Sequence, residues 1–192
     1  DPILWWSPSR RAVFRTDAVH LASRLRRHLR NSGWTVRADT AFADVVAGCA
    51  APRAGQSGGT WITADMQAAY LALHRLGHAH SIEVFDGGRL VGGLFGLSFG
   101  HMVCGDSMFS TESGASSLAL AALAQRMQAW GWPLLDAQVP NAHTRRLGVD
   151  TWPRQAYLEA LASLRDRPAE PGSWRCRFGE VAAADACTPR PA

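Results

Sequence analysis

The run Leu134-Leu135-Asp136-Ala137-Gln138-Val139 sets two polar side chains in an apolar strand. Residues two apart on a strand point to one face, so Asp136 and Gln138 are expected side by side. Burying a carboxylate and an amide is costly unless both are partnered. Two readings follow. In one, the pair belongs to a structural network that caps the next helix through Asn141. In the other, amide and carboxylate hold a reactive amine or a developing oxyanion. His78 and His80 could pass for metal ligands. One alternation apart, without further Cys or His nearby, they read as hydrogen-bonded structural groups. Cys49, Cys104, Cys176 and Cys187 lie far apart with no CxxC pair, so neither a zinc site nor a disulfide framework is expected.

The chain that must position these groups has 192 residues, 47% of them hydrophobic, which suits one medium domain with a real core. The net charge is +4 and all 20 cations are arginine, a choice that GC-rich coding would also produce. Placement says more. Arg10, Arg11, Arg15, Arg24, Arg26, Arg27, Arg30 and Arg37 crowd the start of the chain. Such a cluster attracts phosphates and makes binding salt-dependent, or else forms a solvated helix face. No apolar run approaches the length of a membrane span, and no signal-peptide pattern opens the chain; a cytoplasmic protein is expected. The abrupt Asp1-Pro2-Ile3-Leu4-Trp5-Trp6 start reads as a fragment lacking something upstream.

Periodicity predicts an amphipathic helix over Asp17 to Arg30, a strand at Trp34-Thr35-Val36 and a helix from Phe42 to Cys49. A Gly/Pro/Ser-rich loop follows over Ala51 to Gly59, then a helix from Thr63 to Leu76 ended by Gly77. Strands at Ser81 to Phe85, Leu90 to Phe99 and Met102 to Phe109 are separated by Asp86-Gly87-Gly88 and Gly100-His101, which are hairpin chemistry. A long helix over Ser116 to Trp130, the strand at Leu134, a short helix from Asn141 and a helix over Arg154 to Leu164 complete the pattern. The Ala/Pro-rich tail from Val181 reads as disordered.

This order resembles the α+β fold of GCN5-related N-acetyltransferases, a mixed, mostly antiparallel sheet flanked by helices. It implies a remnant or linker with the basic helix over 1–35, an acyltransferase domain over 36–180 and a disordered tail over 181–192. Members of that fold usually carry an Arg/Gln-x-x-Gly-x-Gly/Ala turn that holds the pyrophosphate of coenzyme A. Here the stretch from Ser110 to Ser117 has Glu112 and a single glycine, and Arg145-Arg146-Leu147-Gly148-Val149-Asp150 falls after the Asn-led helix. The fold is expected without the coenzyme A cradle.

A closer resemblance rests on several blocks in order: Trp5-Trp6-Ser7-Pro8, Gly59-Thr60-Trp61-Ile62-Thr63, Leu76-Gly77-His78-Ala79-His80-Ser81-Ile82-Glu83-Val84, Cys104-Gly105-Asp106-Ser107-Met108-Phe109-Ser110, and Asp136-Ala137-Gln138-Val139 with Asn141 and His143-Thr144. From residue 1 to about Phe178 the chain is similar to bacterial leucyl/phenylalanyl-tRNA–protein transferases. The resemblance implies an aminoacyltransferase that moves Leu, Phe or Met from its tRNA to the α-amine of proteins beginning with Arg or Lys, marking them for degradation by the N-degron route. No cofactor or metal is implied, because the aminoacyl ester is already activated. A monomer, with no membrane partner, is expected.

By the same resemblance Asp136 and Gln138 form a relay at the attacking amine, and Asp106 holds the aminoacyl end or the amine. A side-chain amide is a very poor base, so Gln138 is expected mainly to orient the amine and Asp136 to fix Gln138. The family usually has Glu at position 106, so this chain's carboxylate is shorter by one methylene. Leu94, Met108, Leu123, Met127 and Leu135 match the aminoacyl side-chain pocket, although alone they read as ordinary core and strict alternation turns Leu135 away from Asp136. Trp61 and Tyr70 match the platform for the terminal adenosine of tRNA, while a Trp before Ile-Thr could equally anchor the next helix. Arg24, Arg26 and Arg27 would then lie along the acceptor stem, read by charge and shape. Two other classes compete: an acyl-CoA-dependent N-acetyltransferase of the same fold, and a non-catalytic RNA-binding module, which would explain the arginines but not Asp136 and Gln138.

Overall fold

The computed structural model describes residues 7–52, 60–170 and 172–188. The elements run β1 (Arg10–Arg15), α1 (Ser23–Arg30), β2 (Thr35–Ala38), α2 (Phe42–Ala50), α3 (Ala64–Arg75), β3 (Ala79–Asp86), β4 (Arg89–Phe99), β5 (Met102–Ser110), α4 (Ala115–Ala129), β6 (Leu134–Gln138), α5 (Ala142–Arg146), β7 (Asp150–Pro153), α6 (Arg154–Leu164), α7 (Arg175–Phe178), β8 (Val181–Ala182) and α8 (Ala183–Ala186). Among the described residues the strands form one eight-stranded sheet in the order β7-β1-β6-β5-β4-β3-β2-β8. Every pairing is antiparallel except β5 with β6.

Both faces of the sheet are covered. On one face α4 lies against Phe14, Val36, Ile82, Val84, Leu94, Val103 and Leu135 in the largest core cluster. Its Ala/Leu sequence has no polar stripe because nearly every residue from Ala115 to Ala124 is buried, the pattern of a helix enclosed on all sides. On the other face Phe42, Val45 and Val46 of α2 and Tyr70 of α3 pack with Ala79 and Phe95. Further along that face Tyr157 and Leu164 of α6 pack with Val13, Met102 and Leu134. The Thr63 hydroxyl caps α3 by accepting from Met66 N. Gly77, at φ +78°, ends the turn beyond that helix, and a side chain there would collide with Gly172 N.

Three expectations need correction. Residues 10–15 are not linker: β1 is seated between β6 and β7, with Phe14 in the core cluster of α4, Val13 in that of α6, and Ala12 fully buried. The basic helix begins at Ser23, not Asp17, because the preceding segment is tied elsewhere by Thr16 N to Pro133 O and His20 N to Leu147 O. The tail from Val181 is ordered through Thr188. Val181 pairs with Val36, Ala183 N bonds Trp34 O, and Ala183, Ala186 and Cys187 enter the core. Small residues suit a close-packed edge, and their burial rests on long-range contacts that local composition cannot show. Most of the expected loop at 51–59, and residues 189–192, lie outside the described residues.

Candidate active site

The parallel pairing of β5 and β6 runs from Met102↔Leu134 to Cys104↔Asp136 and stops. Beyond it, Gly105-Asp106 and Ala137-Gln138 face one another across an opening seam. On its other edge β5 carries a bulge: Phe95 pairs with Ser107 but Gly96 pairs with Gly105, leaving Asp106 as the extra residue. A bulge bends the strand and redirects a side chain, here the Asp106 carboxylate. Gly96 is required opposite it, because a Cβ there would collide with the Cys104 carbonyl oxygen.

Gln138 ends β6 with φ +61°, left-handed backbone that a non-glycine residue adopts at a cost of about 1–3 kcal/mol. Its N–H donates to Asp136 Oδ1 at 2.8 Å, which offsets that strain. The side-chain amide then reaches across the seam, Nε2 donating to Asp106 Oδ1 at 2.9 Å and to Gly105 O at 3.3 Å. The Tyr70 hydroxyl of α3 donates to Asp106 Oδ2 at 3.0 Å. Gln138 Oε1 accepts no hydrogen bond among the described residues.

Asp136 is 0% exposed. Arg11 Nε donates to Oδ1 and Oδ2 at 2.9 and 3.1 Å, Arg11 Nη2 to Oδ2 at 2.6 Å, and the Tyr157 hydroxyl to Oδ2 at 2.8 Å. The expected side-by-side pair is therefore realised differently. Asp136 fixes Gln138 through the backbone N–H, while the Gln138 amide is oriented by Asp106. Arg11, Tyr157 and Cys104 belong to the cluster and escaped the sequence reading. The only local trace of Arg11 was the alternation of Arg11 and Val13 with Ala12 and Phe14.

Burial pushes the Asp106 carboxyl up to about 6, helped by the Asp136 charge, while hydrogen bonds from Tyr70, Cys104 and Gln138 pull it down. Burial raises the Cys104 thiol, and the Asp106 and Asp136 charges raise it further. It stays protonated, unlike a nucleophilic cysteine. Burial followed by the neighbouring carboxylates likewise raises the Tyr70 and Tyr157 phenols, which remain donors. Burial alone would lower the Arg11 guanidinium, but the Asp136 hydrogen bonds and charge prevail and raise it.

On the α4 side of the seam lies a cleft of about 550 Å³ lined by Phe14, Leu94, Met108, Phe109, Leu120, Leu135 and Ala137, with Gly105, Asp106, Ser107, Ser110, Ser116, Asn141, His143 and Thr144 as its polar margin. Of the residues that the resemblance matches to an aminoacyl side-chain pocket, Leu94, Met108 and Leu135 line this cleft. Leu123 and Met127 do not; both are 0% exposed within the α4 core, and Leu120 and Phe14 contribute instead. Leu135 faces away from Asp136, as alternation requires, and that direction is the cleft. Asn141 caps α5 by accepting from His143 N and Thr144 N, with Asn141 N donating back to the Thr144 hydroxyl. Burial, then the Arg146 charge, hold His143 below its ordinary pKa.

Trp61 is 53% exposed and sits edge-on to Tyr70 with ring centroids 6.3 Å apart. Tyr70 is buried against Phe95 and turned by its Asp106 contact, so it offers no free face for stacking. Arg24 and Arg27 are exposed on α1, whereas Arg26 is half-buried and bonds Leu21 O. His80 is buried, bonded to Asp39 Oδ2 at 2.9 Å and stacked on Trp174; His78 is exposed. Among the described residues no group of three or more His, Cys, Asp or Glu is placed to hold a metal ion. Nor is any of their helices long and apolar enough to cross a membrane.

Comparison with known proteins adds a family to this geometry. The profile of the leucyl/phenylalanyl-tRNA protein transferase family matches residues 13–162. The chain is 60% identical over 181 residues to the leucyl/phenylalanyl-tRNA–protein transferase of Xanthomonas campestris pv. campestris (strain B100), spanning 94% of this chain and 72% of that one. It is 52% identical over 186 residues to the corresponding protein of Xylella fastidiosa (strain M23), spanning 96% and 76%. Among solved structures, L-PGS from Bacillus licheniformis superposes with a TM-score of 0.45 at 12% identity, covering 71% of this chain and 47% of that chain.

Proposed function

The chain belongs to the leucyl/phenylalanyl-tRNA protein transferase family, and from that premise, an aminoacyltransferase acting on aminoacyl-tRNA and protein, we propose how its seam and cleft perform the transfer. The apolar cleft takes the Leu, Phe or Met side chain, with Phe14, Leu94, Met108, Leu120 and Leu135 as its walls. The ester carbonyl lies at the seam, and the acceptor's α-amine approaches over Gln138 and Asp106. Trp61 stacks on the terminal adenosine, and Arg24 and Arg27 run along acceptor-stem phosphates. Asp106, with no ion-pair partner among the described residues, favours a cationic acceptor end, which suits proteins beginning with Arg or Lys.

The chemistry asks little of the side chains. An α-amine has a pKa of about 7.7–8.0, so a useful fraction is neutral near pH 7. Its nitrogen adds to the ester carbonyl, the C–O bond to the tRNA ribose breaks, and an amide forms as the nitrogen loses a proton. Gln138 Oε1, left free by the amide's orientation, accepts an N–H of the amine. Asp106 takes that proton or balances the positive charge, and the proton ends on the departing ribose oxygen, which leaves as a hydroxyl. Holding two reactants in register can lower a barrier by roughly 7–11 kcal/mol, and an activated ester needs no metal or coenzyme. The reading places a monomeric enzyme of GCN5-related N-acetyltransferase type in the cytoplasm, where charged tRNA is available, marking proteins for N-degron degradation.

The observation that carries this proposal is the hydrogen bond from Gln138 to Asp106, a carboxylate that also lines the apolar cleft. The test incubates the chain with radiolabelled leucyl-tRNA and an Arg-initiated peptide, beside the same peptide acetylated at its N-terminus. Label is expected on the free peptide alone; equal labelling of the blocked one would exclude α-amine attack.

A further inference from the structure

We propose that Arg11 and Tyr157 are positioning residues for the transfer: together they clamp Asp136 and so hold the backbone turn that aims Gln138 at Asp106. The inference rests on the reading of Gln138 and Asp106 as the amine-receiving pair. Neither Arg11 nor Tyr157 lines the cleft, so neither is placed to touch the aminoacyl group.

The clamp is built from three elements distant in sequence. Arg11 comes from β1 and Tyr157 from α6, and both donate to Oδ2 of the same carboxylate, at 2.6 and 2.8 Å. The guanidinium also lies 5.1 Å from the Tyr157 ring centroid, so the two donors brace one another. At this level β1 and β6 lose register: Val13 pairs with Asp136 but Ala12 pairs with Gln138, leaving Ala137 as the extra residue. That irregularity lets β6 twist into the left-handed backbone at Gln138. Asp136 Oδ1, held by Arg11 Nε at 2.9 Å, accepts the Gln138 N–H at 2.8 Å.

Charge gives the clamp a second consequence. Besides the Gln138 amides, the titratable groups converging on the two carboxylates are Arg11 of β1, Tyr70 of α3, Cys104 of β5 and Tyr157 of α6. Arg11 is the sole cation among them. It cancels the Asp136 charge and leaves Asp106 as the carboxylate open to an incoming amine.

The test compares the unmodified chain with Tyr157→Phe, Arg11→Gln and Arg11→Lys. It follows kcat and KM for leucyl-tRNA against pH, and amide hydrogen exchange at Gln138 by NMR. Tyr157→Phe keeps the ring and removes one bond to a charged group, so kcat is expected to fall about tenfold with KM unchanged. Exchange of the Gln138 N–H should quicken while its strand neighbours keep their protection. Arg11→Gln exposes Asp106 to an uncancelled Asp136 charge, and the acid limb of the rate profile should move to higher pH. Arg11→Lys should return that limb toward its original place yet stay slow, because an ammonium cannot grip both oxygens as a guanidinium does. If Tyr157→Phe lowers only the melting temperature, leaving kcat and Gln138 exchange as they were, the clamp is structural and the inference is overturned. If Arg11→Gln does not fold, Tyr157→Phe decides alone. An unmodified chain that transfers nothing would count against the proposed function, and Gln138 exchange would still judge the clamp.

Discussion

Gln138 and Asp106 meet across the seam between two parallel strands, Nε2 to Oδ1 at 2.9 Å, beyond the point where the strand backbones cease to pair. The contact bridges a place where the backbone itself leaves a gap. A reactant entering there meets Asp106 as its nearest carboxylate.

Asp106→Asn should therefore slow transfer by about 100-fold, the lower range for a positioned proton acceptor. The pH profile gives the sharper check. Asp106 titrates near 6, so below that pH two groups gain protons, the substrate amine and this carboxylate. The logarithm of the rate should fall with a slope near two in the unmodified chain and near one in the variant. Matching slopes would remove Asp106 from the reaction.

Selectivity should respond to the residues that line the cleft and ignore those behind it. Leu120→Phe fills space and is expected to disfavour phenylalanyl-tRNA against leucyl-tRNA by about tenfold in kcat/KM, the scale set by pocket volume. Leu123→Ala should cost about 2–5 kcal/mol in urea unfolding while leaving that ratio unchanged, because Leu123 is wholly within the core.

Trp61→Ala removes an exposed indole and should leave the melting temperature nearly unmoved. It is expected to raise KM for aminoacyl-tRNA by about tenfold or more, given about 1–3 kcal/mol for base–aromatic stacking. An unchanged KM would assign Trp61 to anchoring α3 alone.

A second buried carboxylate predicts pH-dependent stability. Glu83 is 0% exposed, held by the Ser81 and Thr40 hydroxyls, and burial pushes it up to about 7 from an ordinary 4.5, with the nearby Asp39 charge adding to the rise. Between those values the folded chain keeps a proton that the unfolded chain has lost, so stability falls as pH rises through that window. Glu83→Gln keeps the shape and the Thr40 contact. It should flatten this dependence, adding on the order of 3 kcal/mol near pH 8 and little near pH 4. Urea unfolding at several pH values measures it.

Much of this arrangement could be read locally. Glycine punctuation marked the β3–β5 meander, the Thr63 cap marked α3, and periodicity marked α6 to the residue. What stayed hidden depended on distance along the chain. Arg11 belongs with Asp136, 125 positions away, and in sequence it looked like one more member of a basic cluster. Val181 and Ala183 looked like tail because small residues show no pattern until an edge strand receives them. Leu123 and Met127 are apolar like Leu120, and only packing shows that they lie within the core while Leu120 lines the cleft. The left-handed Gln138 backbone has no signature in residue type, since the polar contacts that stabilise it come from Asp136 and, behind it, Arg11 and Tyr157.

The seating of β1 between β6 and β7 has a consequence for how the enzyme is born. A chain emerging from the ribosome makes Arg10–Arg15 early, yet the strands that flank it end only at Pro153. Such non-local pairing makes folding slow, and the Ala12/Phe14 strand waits unpaired until most of its partners have been synthesised. Arg11 rides on that strand, so the grip on Asp136 closes among the last events. A chain that stopped short of α6 would lack Tyr157, and Asp136 would keep Arg11 but lose the second side chain that grips it.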